Sequence, residues 1–335
     1  MEVDGAKKPG WQRWLVGLLT AAALWWLATR RTEVAAVAQT ISTGRWEWLL
    51  LASLTYAGSL GLSTLNYRRA FVAVGLSLEF WDVLATLLAA LVVGEIAPFG
   101  WAACSSVFLR LATNRGFSAS HAAVGVLLAQ AADLLAFSGL FLVGIAALLL
   151  HHLKPGPSVT AGAVFLLLMN VGLLGVLALA VQRPAALGKL LGRIPSERAR
   201  AVATKAVSGL VAAGEAIREK PGRLLASLGA AVGANAASTL CLFFVFLAFR
   251  QPVTFGQLVM GYGVGTLAWM ISPIPAGVGV VEGAMALAFA SLGVPTARAA
   301  VLAVTYRGLS FWLPFLVGLF TLHRQNALFL KEPKT

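Results

Sequence analysis

The stretch "WMISPIPAGVGVVEGAMAL", residues 269–287, decides the fold. It is apolar enough to lie in a lipid bilayer, yet two prolines, three closely spaced glycines and a glutamate interrupt it. Proline removes a helical hydrogen bond, and glycine lets the backbone turn sharply. Because no water reaches the bilayer core, such a break survives there only when protein surrounds it or it lines a wet cavity. The stretch therefore predicts a broken membrane helix inside a bundle.

The composition of the whole chain agrees with this prediction. Of its 335 residues, 59% are hydrophobic and 12% are charged, and the mean hydropathy is +0.83. Several apolar runs reach the roughly 20 residues that a helix needs to cross a bilayer, whereas a β-barrel would show short alternating segments. The sequence therefore predicts an all-α, polytopic transmembrane helix bundle, with almost no room for a water-soluble domain.

The net charge of +13 does not indicate a nucleic-acid partner, because the basic residues lie between apolar runs, where they bind lipid head groups and set topology. Two cysteines in apolar surroundings are interpreted as free thiols, and the four histidines lack the spacing of metal ligands. We therefore expect no metal and no cofactor. Residues 14–28 follow a basic N-terminus like a signal peptide, but Arg30, Arg31 and Glu33 disfavour cleavage, so they are interpreted as a retained first span.

Apolar segments follow one another along the rest of the chain. They cover residues 46–66, 81–111, 121–150, 158–182, 223–249, 255–293 and 298–322. Segments 81–111 and 255–293 are too long for one span, and each has a Gly/Pro break near its middle. Both are predicted to be re-entrant hairpins or pairs of half-helices. The residues predicted to make the breaks are Pro98, Gly100, Pro273, Pro275, Gly277 and Gly279.

Basic residues predict the orientation of these segments. With both termini in the cytoplasm and each hairpin returning to its own side, most of the 26 lysines and arginines lie in cytoplasmic segments. The block 46–150 then has the opposite orientation to the block 223–322, so the two form inverted repeats, as in many transporters. The whole chain, 1–335, is thus predicted to be one membrane domain. It comprises a first half, 1–182, a basic cytoplasmic connector, 183–222, with helical spacing from Ser196, and a second half, 223–335.

Four ionisable residues fall within the apolar segments. They are Glu95, Asp133, Glu282 and Arg307. Each costs about 2.5–3.5 kcal/mol at the centre of a membrane helix, so such residues usually face the protein interior and mark function. Counted at about 1.5 Å per residue, their depths allow all four to meet near the midplane.

Two interpretations of these charges stay open. In the first, Arg307 forms a buried ion pair with Glu282 or Asp133 that locks helices together. In the second, Arg307 binds a phosphate, because its planar fork can hold two oxygens, while the acids balance its charge or take up protons. Gln130, Asn170 and Asn235 either line the same cavity or form hydrogen bonds between helices.

Residues 274–320 carry a family resemblance. The run Pro-Ala-Gly-Val-Gly-Val-Val-Glu at 275–282, "LGVP" at 292–295, the pair Tyr306-Arg307 and "FWLP" at 311–314 resemble the flippase-like membrane domain of lysylphosphatidylglycerol synthases. A weaker resemblance extends over residues 13–325.

The resemblance implies a lipid flippase or transporter of the cytoplasmic (inner) membrane. Its substrates would be membrane lipids: an anionic or aminoacylated phospholipid, or a lipid linked to polyprenyl phosphate. Pro275, Gly277, Gly279, Glu282 and Arg307 correspond to motif positions, and Tyr306 joins the implied substrate site. Ala129 and Gln130 stand where the family often has Glu-Arg, so the cavity is predicted to be less charged than usual.

The soluble aminoacyl-transferase domain of the synthases has no counterpart here, so we expect that this chain does not make a lysyl-lipid itself and is not an enzyme. The single Gly-Lys pair, at 188–189, is followed by Leu190 and does not form a Walker A motif. Transport would be downhill or coupled, with Asp133 or Glu282 as the candidate protonation site. A membrane enzyme, or an accessory scaffold for a separately encoded lipid-modifying enzyme, is the alternative.

Overall fold

The structure, a computed structural model, describes residues 44–96, 100–150, 157–182, 218, 221–272 and 274–329. Every helix described below belongs to the unit Arg45–Thr335. The predicted first span at 14–28 lies outside the described residues, and so does the connector 183–222 apart from its last residues and residue 218. The predictions of topology that depend on these segments stay predictions.

All secondary structure in the described residues is helical, which confirms the predicted all-α bundle of a polytopic membrane protein. In chain order, the α-helices are α1 (Trp46–Ala73), α2 (Phe80–Ile96), α3 (Gly100–Asn114), α4 (Ala119–Leu150), α5 (Pro157–Gln182), α6 (Pro221–Ala248), α7 (Phe255–Ile271), α8 (Val280–Ser291), α9 (Thr296–Arg307) and α10 (Leu313–Phe329). A short 3-10 turn, Pro275–Gly277, lies between α7 and α8, and a π-helical turn, Gly308–Trp312, joins α9 to α10.

Four stretches of helix are long and apolar enough to cross a membrane. They are Trp46–Ala73, His121–Leu150, Pro221–Ala248 and Thr296–Thr321, which correspond to α1, α4, α6 and the continuous α9–α10. Helices α2, α7 and α8 are apolar but shorter. At 1.5 Å per residue, the 17-residue α7 is about 26 Å long and the 12-residue α8 about 18 Å, less than the roughly 30 Å hydrocarbon core.

Helices α1 and α6 form an extensive antiparallel contact. The Ser59 and Ser238 hydroxyls are 2.7 Å apart, while Ser227 Oγ donates to Asn66 Oδ1 at 2.6 Å, so later residues of α1 meet earlier residues of α6. Asn66 Nδ2 also donates to the carbonyl of Ala129 in α4 at 3.0 Å. Hydrogen bonds between polar side chains hold membrane helices together where the hydrophobic effect cannot.

Helices α7 and α8 pack as an antiparallel hairpin. A Cβ atom on Gly261 would collide with the ring of Phe289, and one on Gly265 would lie 2.5 Å from Met285 Cγ. A later residue of α7 therefore contacts an earlier residue of α8, as in an antiparallel pair. Glycine is needed here because only a hydrogen at these positions lets the two helices approach so closely.

The first helix of each hairpin packs against the other half of the chain. Helix α2 packs against α10, and α7 packs against α4. At the first of these contacts, a Cβ atom on Gly318 would lie 2.6 Å from the carbonyl oxygen of Leu88. The helices before residue 182 therefore pack directly against those after residue 221.

Candidate functional site

The chain leaves the helical conformation between Ile271 and Val280. Ala276 and Gly277 both have φ near +60°, and Gly279 has φ +82°. The left-handed region costs a residue with a Cβ atom about 1–2 kcal/mol, so Ala276 is a strained position that its surroundings must hold in place. Helix α8 then starts directly after Gly279, so its free N–H groups and the positive end of its dipole lie at the break.

Arg307, the last residue of α9, is bound to this break. Its Nε donates to Glu282 Oε1 at 3.1 Å, and its Nη2 donates to the carbonyl oxygen of Ala276 at 2.7 Å. The guanidinium carbon lies 4.4 Å from the centre of the Phe311 ring, within range of a cation–π interaction. The Arg307 side chain is only 9% exposed, so these contacts enclose it.

Glu282 binds two donors through its two oxygens. Oε1 accepts from Arg307, and Oε2 accepts from the backbone N–H of Gly279 at 2.7 Å. The carboxylate therefore neutralises both the guanidinium and the N-terminus of α8. A guanidinium and free helix N-terminal amides are also the donors that typically bind phosphate oxygens in proteins.

A second polar cluster lies between α4, α6 and α7. Asn235 Nδ2 donates to Asp133 Oδ1 at 3.0 Å and to the carbonyl of Ala231 at 3.0 Å. Asn235 Oδ1 in turn accepts from the hydroxyl of Tyr262 at 2.8 Å. Asn235 is buried, whereas Asp133 is exposed although side chains of neighbouring helices lie around it.

Three buried or half-buried tyrosines lie near the two clusters. The phenols of Tyr67, from α1, and Tyr262, from α7, are within electrostatic reach of the Asp133 carboxylate. Buried Tyr306 is in turn within electrostatic reach of both Tyr262 and Arg307.

The structure brings only part of the predicted site together. Arg307 and Glu282 meet, as the first of the two interpretations required. Asp133 instead contacts Asn235, and none of the ion pairs between described residues includes it. Glu95 lies in α2, but its side chain is outside the description. The sequence allowed all four charged residues to meet near the midplane. Among the described side chains, the structure has one ion pair, Arg307 with Glu282, and one separate acid, Asp133.

The remaining predicted polar and break residues occupy several places. Gln130 Nε2 donates to Ser105 Oγ at 3.2 Å, between α4 and α3, and Gln130 also bonds Tyr67. Asn170 joins α5 to α4 through Ser138 Oγ at 2.6 Å, so it acts between helices. Of the predicted break residues, Pro275, Gly277 and Gly279 lie between α7 and α8, Gly100 begins α3, and Pro98 and Pro273 are outside the described residues.

Sequence reasoning missed three contributors to the site. Phe311 is four residues after Arg307, and its aromatic ring so close to a membrane arginine was the available signal. Tyr262 carries a hydroxyl near the middle of the mostly apolar α7, and that polar group could have identified it. The carbonyl of Ala276 had no signal, because nothing in the sequence indicates which backbone oxygen of a break accepts a hydrogen bond.

Two comparisons with known proteins bear on this site. The sequence model of the family described as "Lysylphosphatidylglycerol synthase TM region" matches residues 14–318. The "UPF0104 membrane protein PH1989" of Pyrococcus horikoshii is 34% identical over 82 residues. That alignment covers 24% of this chain and 24% of the archaeal protein, so the chain spans about a quarter of its relative's length in the match.

Proposed function

The chain belongs to the family of the lysylphosphatidylglycerol synthase transmembrane region, and we propose that it is a lipid flippase or transporter. Its substrate is an anionic or aminoacylated phospholipid, or a lipid linked to polyprenyl phosphate, which it moves between the leaflets of the inner membrane. The proposed role is transport and not chemical turnover. A separately encoded lipid-modifying enzyme would supply or use the lipid.

The observation that carries this proposal is the pair of hydrogen bonds that the Glu282 carboxylate accepts. A carboxylate, bound by Arg307 Nε and the Gly279 N–H, occupies a place where those same donors could hold a phosphate group. We infer that Glu282 is an internal substitute for the lipid head group and is displaced when a phosphate enters. Exchange of one anion for another would keep the buried guanidinium neutralised throughout, which avoids the cost of leaving it unpaired.

The packing of the halves supports an inverted-repeat mechanism. If α1, the α2–α3 pair and α4 correspond to α6, the α7–α8 hairpin and α9–α10, then the α2–α10 contact corresponds to the α7–α4 contact. The α1–α6 pair is antiparallel, as a two-fold axis in the membrane plane requires. We propose that both hairpins are re-entrant, with the termini in the cytoplasm, and that rocking of one half against the other opens the site alternately to each side.

The proposal is tested with the purified full-length chain in phosphatidylcholine vesicles. Three parallel sets carry labelled phosphatidylglycerol, labelled aminoacylated phosphatidylglycerol or labelled polyprenyl phosphate, and a membrane-impermeant quencher reports transfer between leaflets. We expect wild type to move at least one lipid faster than empty vesicles do. Arg307→Lys should reduce that rate at least tenfold, because a lysine ammonium cannot replace the planar guanidinium, whose several N–H groups donate hydrogen bonds in fixed directions.

Arg298→Lys is the matched control, since Arg298 lies on the same helix and donates to Gln251 Oε1 at 3.0 Å, away from the break. The double variant Arg307→Met with Glu282→Met separates transport from locking, because an apolar pair can replace a buried ion pair without loss of stability. A double variant that folds and still moves lipid would show that the pair only locks helices. Absence of transfer by wild type in all three sets would contradict the proposal, and a chemically altered lipid would indicate an enzyme.

A further inference from the structure

We propose that Asp133 is the proton carrier of this protein, so that lipid movement is coupled to a proton gradient. This inference rests on the proposed transport function and specifies what drives it. The sequence leaves Asp133 and Glu282 as equal candidates, and the structure distinguishes them.

Glu282 is poorly suited to exchange a proton. Both of its oxygens accept hydrogen bonds, one from a guanidinium and one from a backbone amide, and its side chain is 17% exposed. Protonating it would leave Arg307 as an uncompensated charge in an enclosed place, which is costly. The contacts of Glu282 therefore favour a role in holding Arg307 over a role as the proton carrier.

Asp133 is in the opposite situation. Its Oδ1 accepts a hydrogen bond from the neutral amide of Asn235, and no ion pair between described residues includes it. A carboxylate without a cation is expensive at membrane depth, and it can be neutralised by a proton. Because the structure leaves Asp133 exposed, water is the group that would deliver this proton.

The groups that the neighbouring helices present to Asp133 are neutral, so a proton is the cation that we propose neutralises its carboxylate. Helices α1 and α7 present the phenols of Tyr67 and Tyr262, and α6 presents the amide of Asn235. Helix α3 contacts α4 through Ser105 and Gln130, and its Arg110 lies five residues beyond Ser105 and is exposed. Helix α5 contributes Asn170, bonded to Ser138 five residues after Asp133, and it contains no lysine, arginine, aspartate or glutamate.

The proton step is simple in chemical terms. A proton from water on one side of the membrane binds a carboxylate oxygen of Asp133, an O–H bond forms, and the side chain becomes neutral. The same O–H bond breaks when the proton leaves to water on the other side. Because Asn235 bonds both Asp133 and Tyr262, the change in charge reaches α7, the first helix of the broken hairpin.

The test uses the same three sets of vesicles with a pH difference of one unit, and potassium with valinomycin holds the membrane potential at zero. If one proton moves with each lipid, the final ratio of labelled lipid between leaflets should shift about tenfold for wild type, since one unit of pH is a tenfold ratio of protons. A trapped pH-sensitive dye should report proton entry in step with the lipid. Asp133→Asn should abolish both responses, and Asp133→Glu should restore them in part.

Asp82→Asn is the matched control, because Asp82 is a half-buried acid that is paired with Arg115 near the start of α2, away from Asn235. It should keep the full tenfold shift. The inference is wrong if wild type transfers lipid but shows no shift, or if folded Asp133→Asn keeps the shift; the proposed transport function survives both results. If wild type moves none of the three lipids, the transport function falls, and the inference falls with it.

Discussion

Glu282 and Asp133 are both acids within the bundle, yet they differ in exposure, in position along their helices and in the groups that bind them. Glu282 begins a short half-helix, is mostly buried, and is held by a guanidinium and a backbone amide. Asp133 lies inside the long helix α4, is exposed, and receives one hydrogen bond from a side-chain amide.

This difference shows what a buried charge needs in order to be structural or exchangeable. A carboxylate paired with arginine cannot lose its charge without exposing the partner's charge, so the pair stabilises one arrangement of helices. A carboxylate held by an amide can become neutral while its neighbours stay as they are. A carboxylate can therefore hold helices together, as the contacts of Glu282 do, or exchange a proton, which is the role we propose for Asp133.

The largest expected effect is the loss of stability on neutralising Glu282, set against the small effect of neutralising Asp133. Glu282→Gln should lower the free energy of unfolding by about 3 kcal/mol, the lower end for breaking a buried ion pair. Asp133→Asn should change it by less than about 0.5 kcal/mol, because an amide oxygen can still accept the hydrogen bond from Asn235 and no charged partner is lost. Denaturant unfolding in detergent micelles measures both values.

Glu47→Gln is the control for this pair, since Glu47 forms an exposed contact with Arg45 and should behave like an ordinary surface acid. Equal losses of stability for Glu282→Gln and Asp133→Asn would remove the contrast between the two acids. A larger loss for Asp133→Asn would reverse it.

A smaller effect is expected at the connection between Asp133 and α7. Tyr262→Phe removes the hydroxyl that donates to Asn235 Oδ1 and leaves that oxygen without this donor, which should cost about 1 kcal/mol of unfolding free energy. In a double-mutant cycle with Asn235→Leu, we expect a coupling energy of about 1 kcal/mol between the two residues. A coupling energy near zero would mean that the Asp133 cluster is not linked energetically to the broken hairpin.

The smallest effect concerns the break itself. Ala276→Gly should raise the free energy of unfolding by about 0.5–1 kcal/mol, because glycine adopts φ near +60° without the penalty that a Cβ atom carries. Ala236→Gly, at an exposed helical position of α6, should instead lower it by about 0.5–1 kcal/mol. If Ala276→Gly destabilises as much as the control does, the break carries no strain for Arg307 to hold.

The positions of the helices were largely predictable. Apolar runs at 121–150 and 223–249 correspond to α4 (Ala119–Leu150) and α6 (Pro221–Ala248) within a few residues, because helix length in lipid follows directly from hydrophobicity. The run ending at residue 66 underestimated α1, which continues to Ala73. Past that end, Arg68 Nε donates to the carbonyl of Leu78, a contact that hydropathy cannot register.

The site was predictable only in its parts. Arg307 and Glu282 could be selected from the sequence because charges are rare in apolar runs, and the two interpretations of the pair followed from their chemistry. Which acid meets the arginine depends on how α8, α9 and α4 are arranged in space. Counting residues along each helix gives the depth of a side chain in the membrane. It does not give the direction in which the side chain points around the helix axis, so four groups at similar depths need not face one another.

The amino-acid sequence alone determined the class of protein, the approximate positions of its long helices and the location of the break in the second half, because hydrophobicity and Gly/Pro chemistry act locally. Only the tertiary structure decided that Arg307 binds Glu282 and the Ala276 carbonyl, and that Asp133 binds Asn235. Such pairings depend on the packing of helices far apart in the chain, where small residues such as Gly261 allow close approach.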